Sequence, residues 1–191
     1  MSEQFLTQFD QFIQSYIDQS NDDNRGLLTL YHEEWPSPCI IRQTDSLPTN
    51  SDEVYWEPVR KEPMTSFNNI AEALEIHIPA EFSLLMGRYF SLDLNAKTSR
   101  GNLTILQAWN EHDFERLQKN LVAHVLMKRK LKQEDTLFFA VTDEEDYIIS
   151  ILPDTGEVVL EHVGKPPQEL LSNNLVEFFQ LLEPVPSFVT L

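Results

Sequence analysis

The sequence predicts a single α+β domain in which a largely antiparallel mixed sheet is flanked by helices. Two observations carry that expectation. At 191 residues, with 41% hydrophobic positions and 12 Phe, the chain can close one core without cross-links. Between Leu103 and Gly164 it reads strand, capped helix and three strands in succession, the order of a helix beside a β-meander.

Taken in order, Phe5, Phe9, Phe12 and Tyr16, with Leu6, Ile13 and Ile17 beside them, make one apolar face on a helix from about Glu3 to Gln19. Aromatic residues at that spacing are the mark of packing more than of a cofactor. Asn21 to Gly26 ends this N-terminal unit. Trp35 to Ile41 contains Pro36 and Pro38, which forbid helix, and ends in a short β-branched run, so it reads as an extended edge segment. Asp45 to Asp52 is a polar loop, and Asp52 to Pro58 a short strand. Ser66 caps a short helix carrying Phe67, Ile70, Ala71 and Leu74; Pro79 opens the next, with Phe82, Leu85, Met86 and Tyr89 on its inner face. Phe90 to Asn95 reads as a strand and Ala96 to Asn102 as a loop leading into the strand Leu103 to Trp109.

Asn110 then offers a side-chain oxygen to a helix over 111–130. Its first turn holds Glu111 and Asp113 and its last holds Lys128, Arg129 and Lys130, the distribution that complements a helix dipole. His124 lies beside the apolar stripe and reads as a hydrogen-bonded histidine near the core. Thr136 to Val141 and Tyr147 to Leu152 are apolar on both alternating faces, as strands covered on two sides are. Pro153-Asp154-Thr155-Gly156 forms a turn with Gly at the left-handed position, and Glu157 to Val163 returns as a strand. Ser172 or Asn173 caps a last helix with Leu175, Phe178, Phe179 and Leu182 on one side. Residues 184–191 read as a loose tail.

Charge is the strongest global feature. The net charge is -17, with net -8 over residues 1–66, +1 over 67–134 and -10 over 135–191. Phosphate backbones and anionic lipid repel such a chain, which disfavours nucleic acid and direct membrane insertion and favours a basic partner over solubility alone only with further support. The N-terminus lacks a basic region and carries Glu3, Asp10 and Asp18, so it does not read as a signal peptide. One cysteine, Cys39, excludes an internal disulfide and points to a reducing, cytoplasmic setting. Set among prolines and isoleucines, it reads as a buried thiol. Five glycines leave no phosphate cradle, nucleophile elbow or dinucleotide fingerprint, and no His or Cys pair has ligand spacing, so no catalytic residue, cofactor or metal is expected. The candidate partner-binding residues are Trp56 and Trp109 with the carboxylates near them, Glu53, Glu57, Glu111 and Asp113, and the acidic tip Asp143, Glu144, Glu145 and Asp146. Rings beside carboxylates suit Arg and Lys side chains, although core packing explains either Trp equally well.

The segments Pro36-Ser37-Pro38-Cys39-Ile40-Ile41, Val54-Tyr55-Trp56-Glu57-Pro58, Leu103 to Trp109 running into Asp113-Phe114-Glu115-Arg116, and Gln118-Lys119-Asn120-Leu121 up to Leu126 resemble the Syd family of SecY-interacting proteins. Thr136-Leu137-Phe138, Ile148-Ile149-Ser150 and Gly156-Glu157-Val158 continue the likeness, which runs from about Trp35 to Phe179. Ile78-Pro79-Ala80-Glu81-Phe82 is similar to the wider SUKH (Smi1/Knr4) superfamily. The resemblance implies a SUKH-like fold and a non-enzymatic, cytoplasmic protein, peripheral on the inner membrane through the basic cytoplasmic loops of SecY, which it monitors or negatively regulates through an acidic surface. An immunity protein of the same superfamily, covering a basic toxin, is the alternative.

Overall fold

Aromatic residues at helical spacing decide how the chain begins. Phe5, Phe9, Phe12 and Tyr16 share one side of helix α1 (Ser2–Asp22), and all four are buried. Phe5 stacks on Phe9 with centroids 6.0 Å apart. Phe179, from the far end of the chain, sets its ring against Phe5, Phe9 and Phe12 at 5.1, 5.7 and 5.5 Å. The stripe is packing, as its spacing predicted. The computed structural model describes residues 2–22, 26–41 and 48–186, so the first part of the polar loop expected over 45–52 lies outside the described residues.

Three short strands, β1 (Leu28–Leu30), β2 (Ile40–Ile41) and β3 (Glu53–Trp56), form a small antiparallel sheet with β3 in the middle. The segment around Ile40 is therefore an edge, as its prolines indicated. Next, β4 (Val59–Arg60) precedes helices α2 (Asn68–Leu74) and α3 (Ala80–Gly87), and pairs with β5 (Tyr89–Phe90) beyond them. Ser66, expected to cap α2, does not: Phe67 holds the N-cap position without a side-chain cap bond, and Ser66 Oγ accepts only a local bond from the Asn68 N–H at 3.1 Å. Tyr89, expected on the inner face of α3, instead lies in β5. The helix stops at Gly87, where a Cβ would come within 2.4 Å of the Thr65 carbonyl oxygen. Only glycine permits so close an approach.

The main sheet has seven strands in the order β11-β10-β9-β8-β7-β6-β12. They are β6 (Leu94–Thr98), β7 (Gly101–Ile105), β8 (Leu137–Thr142), β9 (Tyr147–Ile151), β10 (Val158–His162), β11 (Pro167–Ser172) and β12 (Glu183–Pro184). Every strand pairing among the described residues is antiparallel, where the sequence allowed a mixed sheet. Three expectations need correction. The expected strand from Phe90 is displaced: β6 begins at Leu94 and runs through the supposed loop, because Leu94 and Ala96 alternate inward while Lys97 faces solvent. A strand not expected at all, β11, starts at Pro167 on the sheet edge, where a missing N–H is tolerated. The loose tail begins as an edge strand: Pro184 pairs with Ala96, and Val185 N–H donates to the Asn95 carbonyl at 2.9 Å. Residues 187–191 lie outside the described residues. The predicted turn before β10 is present, with Gly156 at φ +80.

Helices cover the sheet on both sides. Phe138 of β8 meets His124 of α4 (Glu111–Lys130) at 5.2 Å, while the next residue, Phe139, meets Phe178 of α5 (Leu175–Phe179) at 5.8 Å. Alternation along one strand thus serves two helical layers. Asn110 caps α4 by accepting from the Asp113 N–H at 2.9 Å, as expected, and Asn174, one residue past the expected cap, does the same for α5.

One buried polar cluster fixes α4 in place. Lys128, fully buried, donates to Glu161 Oε2 at 2.5 Å and to the Lys165 carbonyl at 2.9 Å. Glu161 Oε1 accepts from Thr136 Oγ1 at 2.7 Å and Ser150 Oγ at 2.6 Å. With the Thr136 proton committed to a carboxylate, His124 Nε2 must be the donor in its 2.8 Å bond to Thr136 Oγ1. Burial pushes the Glu161 carboxyl up, but the His124 ring, with Nε2 3.6 Å from Oε1, and the bonds from Lys128, Ser150 and Thr136 outweigh it and hold the group down at about 2. A carboxyl depressed in this way stabilises the fold above its ordinary value of 4.5, and that contribution is lost as pH falls toward 2. Lys128→Met leaves the carboxylate buried without its cation and should cost about 3–5 kcal/mol, read as a lower urea midpoint at pH 7. The deficit relative to wild type should shrink as the pH is lowered through that window.

Candidate functional site

The route from β7 to β11 crosses four strand spacings, about 19 Å if the sheet were flat. Yet Arg100, in the turn before β7, forks onto Glu169 of β11 through two bonds of 2.8 Å. The sheet must therefore curl. On its concave side, away from α4, lies a groove of about 390 Å³. Its floor is apolar, built from Leu103, Ile149, Leu160 and Phe178, and its rim carries Asp143, Glu144 and Glu183. Asp143 Oδ2 accepts from both the backbone N–H and the side-chain amide of Asn102 at 3.2 Å, joining the two hairpin tips that border the groove. Asp146 closes the β8–β9 turn at φ +66, a conformation that Asp and Asn tolerate better than most residues. All four residues of the tip, Asp143 to Asp146, are exposed.

The tryptophan candidates sit elsewhere, and both are buried. Trp56 and Trp109 meet edge to face at 5.8 Å. Trp109 Nε1 donates to the Trp35 carbonyl at 3.2 Å, Ser37 Oγ donates to the Trp109 carbonyl at 2.5 Å, and the Asn110 amide donates to the Pro36 carbonyl at 2.8 Å. These bonds strap the proline-rich segment to the start of α4, so Trp109 acts through packing rather than as an open receiver. Glu53, Glu57 and Glu111 are exposed around this region, whereas Asp113 is largely covered. The candidates thus divide between the groove rim and the strap, on different parts of the molecule. Sequence reasoning missed Glu183, Glu169 and Arg100, whose positions follow from sheet curvature, and missed Trp35, Asp93 and Arg116 beside the strap. For that last group one signal existed: Asp113 and Arg116 stand at i, i+3 on a helix.

Cys39 is buried, as its surroundings predicted. Burial pushes its thiol up to about 11, against weaker opposing contacts from Ser37, Val59 and Lys61. Lys61 is also nearly covered, its ammonium 3.8 Å from the Phe114 ring centre and 4.1 Å from that of Phe90; burial draws it down to about 8. Among the described residues there is no group of three or more His, Cys, Asp or Glu placed to hold a metal, and no helix is long and apolar enough to cross a membrane.

The molecule is thus an acidic α+β domain whose sheet curls around a groove lined by Asp143, Glu144 and Glu183 together with Arg100. The family model described as Syd protein (SUKH-2) matches residues 6–184, and the chain belongs to that family. The match is wider than the resemblance read from motifs, which starts at about Trp35, and takes in most of α1. A protein Syd from Alteromonas mediterranea is 42% identical over 178 residues, covering 93% of this chain and 95% of that one. Another from Pseudoalteromonas atlantica is 41% identical over 182 residues, 89% of this chain and 97% of its own. A third, from Colwellia psychrerythraea, is 42% identical over 181 residues, 90% and 88% respectively.

Two consequences for the strap region are measurable. With its thiol covered and protonated, Cys39 should react with iodoacetamide at pH 8 at least about a hundredfold more slowly in the native protein than in urea. Because Lys61 is held below its ordinary value of 10.5, its charge opposes folding below that pH, most fully below about 8. Lys61→Met should therefore raise the melting temperature at pH 7, with the gain fading as pH approaches 10.

Proposed function

We propose that this chain is a non-enzymatic binding protein that associates with the cytoplasmic face of the SecY translocase channel, to monitor or restrain it, and is held at the inner membrane through that contact. The observation that carries this reading is the groove, an apolar floor rimmed by Asp143, Glu144 and Glu183 on a chain of net charge -17. Cytoplasmic loops of inner-membrane proteins are rich in Lys and Arg, so they attract this surface while the anionic lipid around them repels it. Family membership supports the same reading over that of an immunity protein.

The groove dictates which carboxylates make a clean test. Asp143 is tied to Asn102 and Asp10 to Arg88 and Tyr89, so neutralising either disturbs structure as well as charge. Glu144→Gln, Glu145→Gln and Asp146→Asn together remove charge from an exposed turn. Affinity for SecY-containing vesicles should fall about tenfold, at roughly 0.5 kcal/mol for each exposed charge. Glu3→Gln, Glu72→Gln and Glu134→Gln change net charge equally, at exposed sites outside the groove lining, and should leave affinity within about twofold. Equal losses in the two triples would remove the tip from the mechanism. Binding by wild type should also weaken with added salt, and a flat response would exclude charge altogether.

A further inference from the structure

On the α4 side of the sheet, two adjoining hollows of about 260 and 310 Å³ share Leu92, Trp109, Asp113 and Arg116. The first opens onto Trp35, which is partly exposed, and the second onto Asp93 and Gln107. Two acceptor oxygens in this cleft, Asp113 Oδ1 and Gln107 Oε1, are buried and accept no hydrogen bond from the protein. The other ends of both side chains are engaged: Asp113 Oδ2 accepts from the Trp109 N–H, while the Gln107 amide donates to the Leu85 and Leu106 carbonyls. Gln107 is itself only 8% exposed, so this is a built polar site rather than a surface cluster. A buried acceptor left without a donor, as Gln107 Oε1 is, costs free energy, whereas Asp113 Oδ1 has only the charge of Arg116 beside it; a ligand carrying several N–H groups relieves that cost.

The chain already shows what kind of group fits. The Arg116 guanidinium lies 5.6 Å from the Trp35 ring centre and 2.7 Å from Asp113 Oδ1, a charge contact whose angle does not make a hydrogen bond. Arg116 is 62% exposed, so water reaches it and its displacement costs little. Planar cations with a fork of donors match the pairing of the Trp35 face with the Asp113 carboxylate, with the Gln107 amide oxygen in the adjoining hollow, whereas an ammonium offers a compact point charge without a face to stack. We propose that this cleft is a receptor for one arginine side chain of a basic protein partner, with Arg116 as the internal occupant that the incoming guanidinium replaces. The inference rests on the reading that the partner is basic. It adds a second contact on the opposite side of the sheet from the acidic groove.

The test uses the full chain and N-acetyl-arginine amide, followed by the indole N–H resonances of the tryptophans, with N-acetyl-lysine amide in parallel. Arg116→Ala removes the internal competitor and should tighten arginine amide binding about two- to fivefold, the factor an exposed ion pair is worth. Trp35→Leu and Asp113→Asn should each weaken it, and thermal melts identify any variant that fails to fold. Weaker or unchanged binding in Arg116→Ala would overturn the proposal, since a merely structural Arg116 gives that result. Equal binding of the arginine and lysine amides would overturn it too. The outcome is independent of SecY: the triple variant at residues 144–146 should bind arginine amide as wild type does, whatever it does to vesicle binding.

Discussion

The position of α4 depends on one ion pair. Lys128 and Glu161 are both removed from water, and neither is tolerable there without the other. The geometry that makes them tolerable is demanding: Glu161 collects bonds from two hydroxyls on adjacent strands, and Lys128 reaches the Lys165 carbonyl beyond the end of β10. Because these partners come from α4, β8, β9, β10 and the turn after β10, the pair fixes the rotation and register of the helix against four separate segments. An apolar contact of the same area would hold α4 against the sheet without calling for these particular partners. With α4 fixed, the strap that Trp109 and Asn110 hold is fixed as well.

The groove on the other side depends on cross-strand ties of a different kind. Arg100 with Glu169, and Asp143 with Asn102, are solvent-accessible and individually weak. Their value is geometric. One spans the concavity from the turn before β7 to the edge strand, and the other locks adjacent hairpin tips, so the carboxylates stand on a rim whose shape exists before any partner arrives. Such preorganisation reduces the ordering cost of association.

How much of this was legible in the sequence follows from where each signal is local. Asn110 with its helix over 111–130, the two strands flanking the acidic tip, and Gly156 in its turn were readable because cap, dipole, alternation and turn residue all lie within a few positions of one another. β11 was not, since PQELLS alternates poorly and becomes a strand only because β10 offers an edge. β6 was hidden by its own Asn and Lys. The Asp143–Asp146 tip was visible as charge, but the groove beside it depends on curvature, which no local pattern encodes. Trp56 and Trp109 illustrate a different limit: composition left receiver and core packing equally open for either ring, and only the tertiary structure shows both buried.

The grip of Phe179 on Phe5, Phe9 and Phe12 has a consequence for how the chain is made. Helix α1 is synthesised well before α5, and although Tyr89 and α3 also pack against its aromatic side, the contact with Phe179 must wait until α5 has been made. At about 5–20 residues per second, the stretch of about 150 residues between α1 and α5 takes roughly 8–30 s to make, and for that time Phe5, Phe9 and Phe12 wait without Phe179. The sheet can assemble from neighbouring hairpins as it emerges, whereas the contact between α1 and α5 closes late, across a long stretch of intervening chain. A truncation that removes α5 would therefore leave the part of the α1 surface that Phe179 covers, at Phe5, Phe9 and Phe12, bare and sticky.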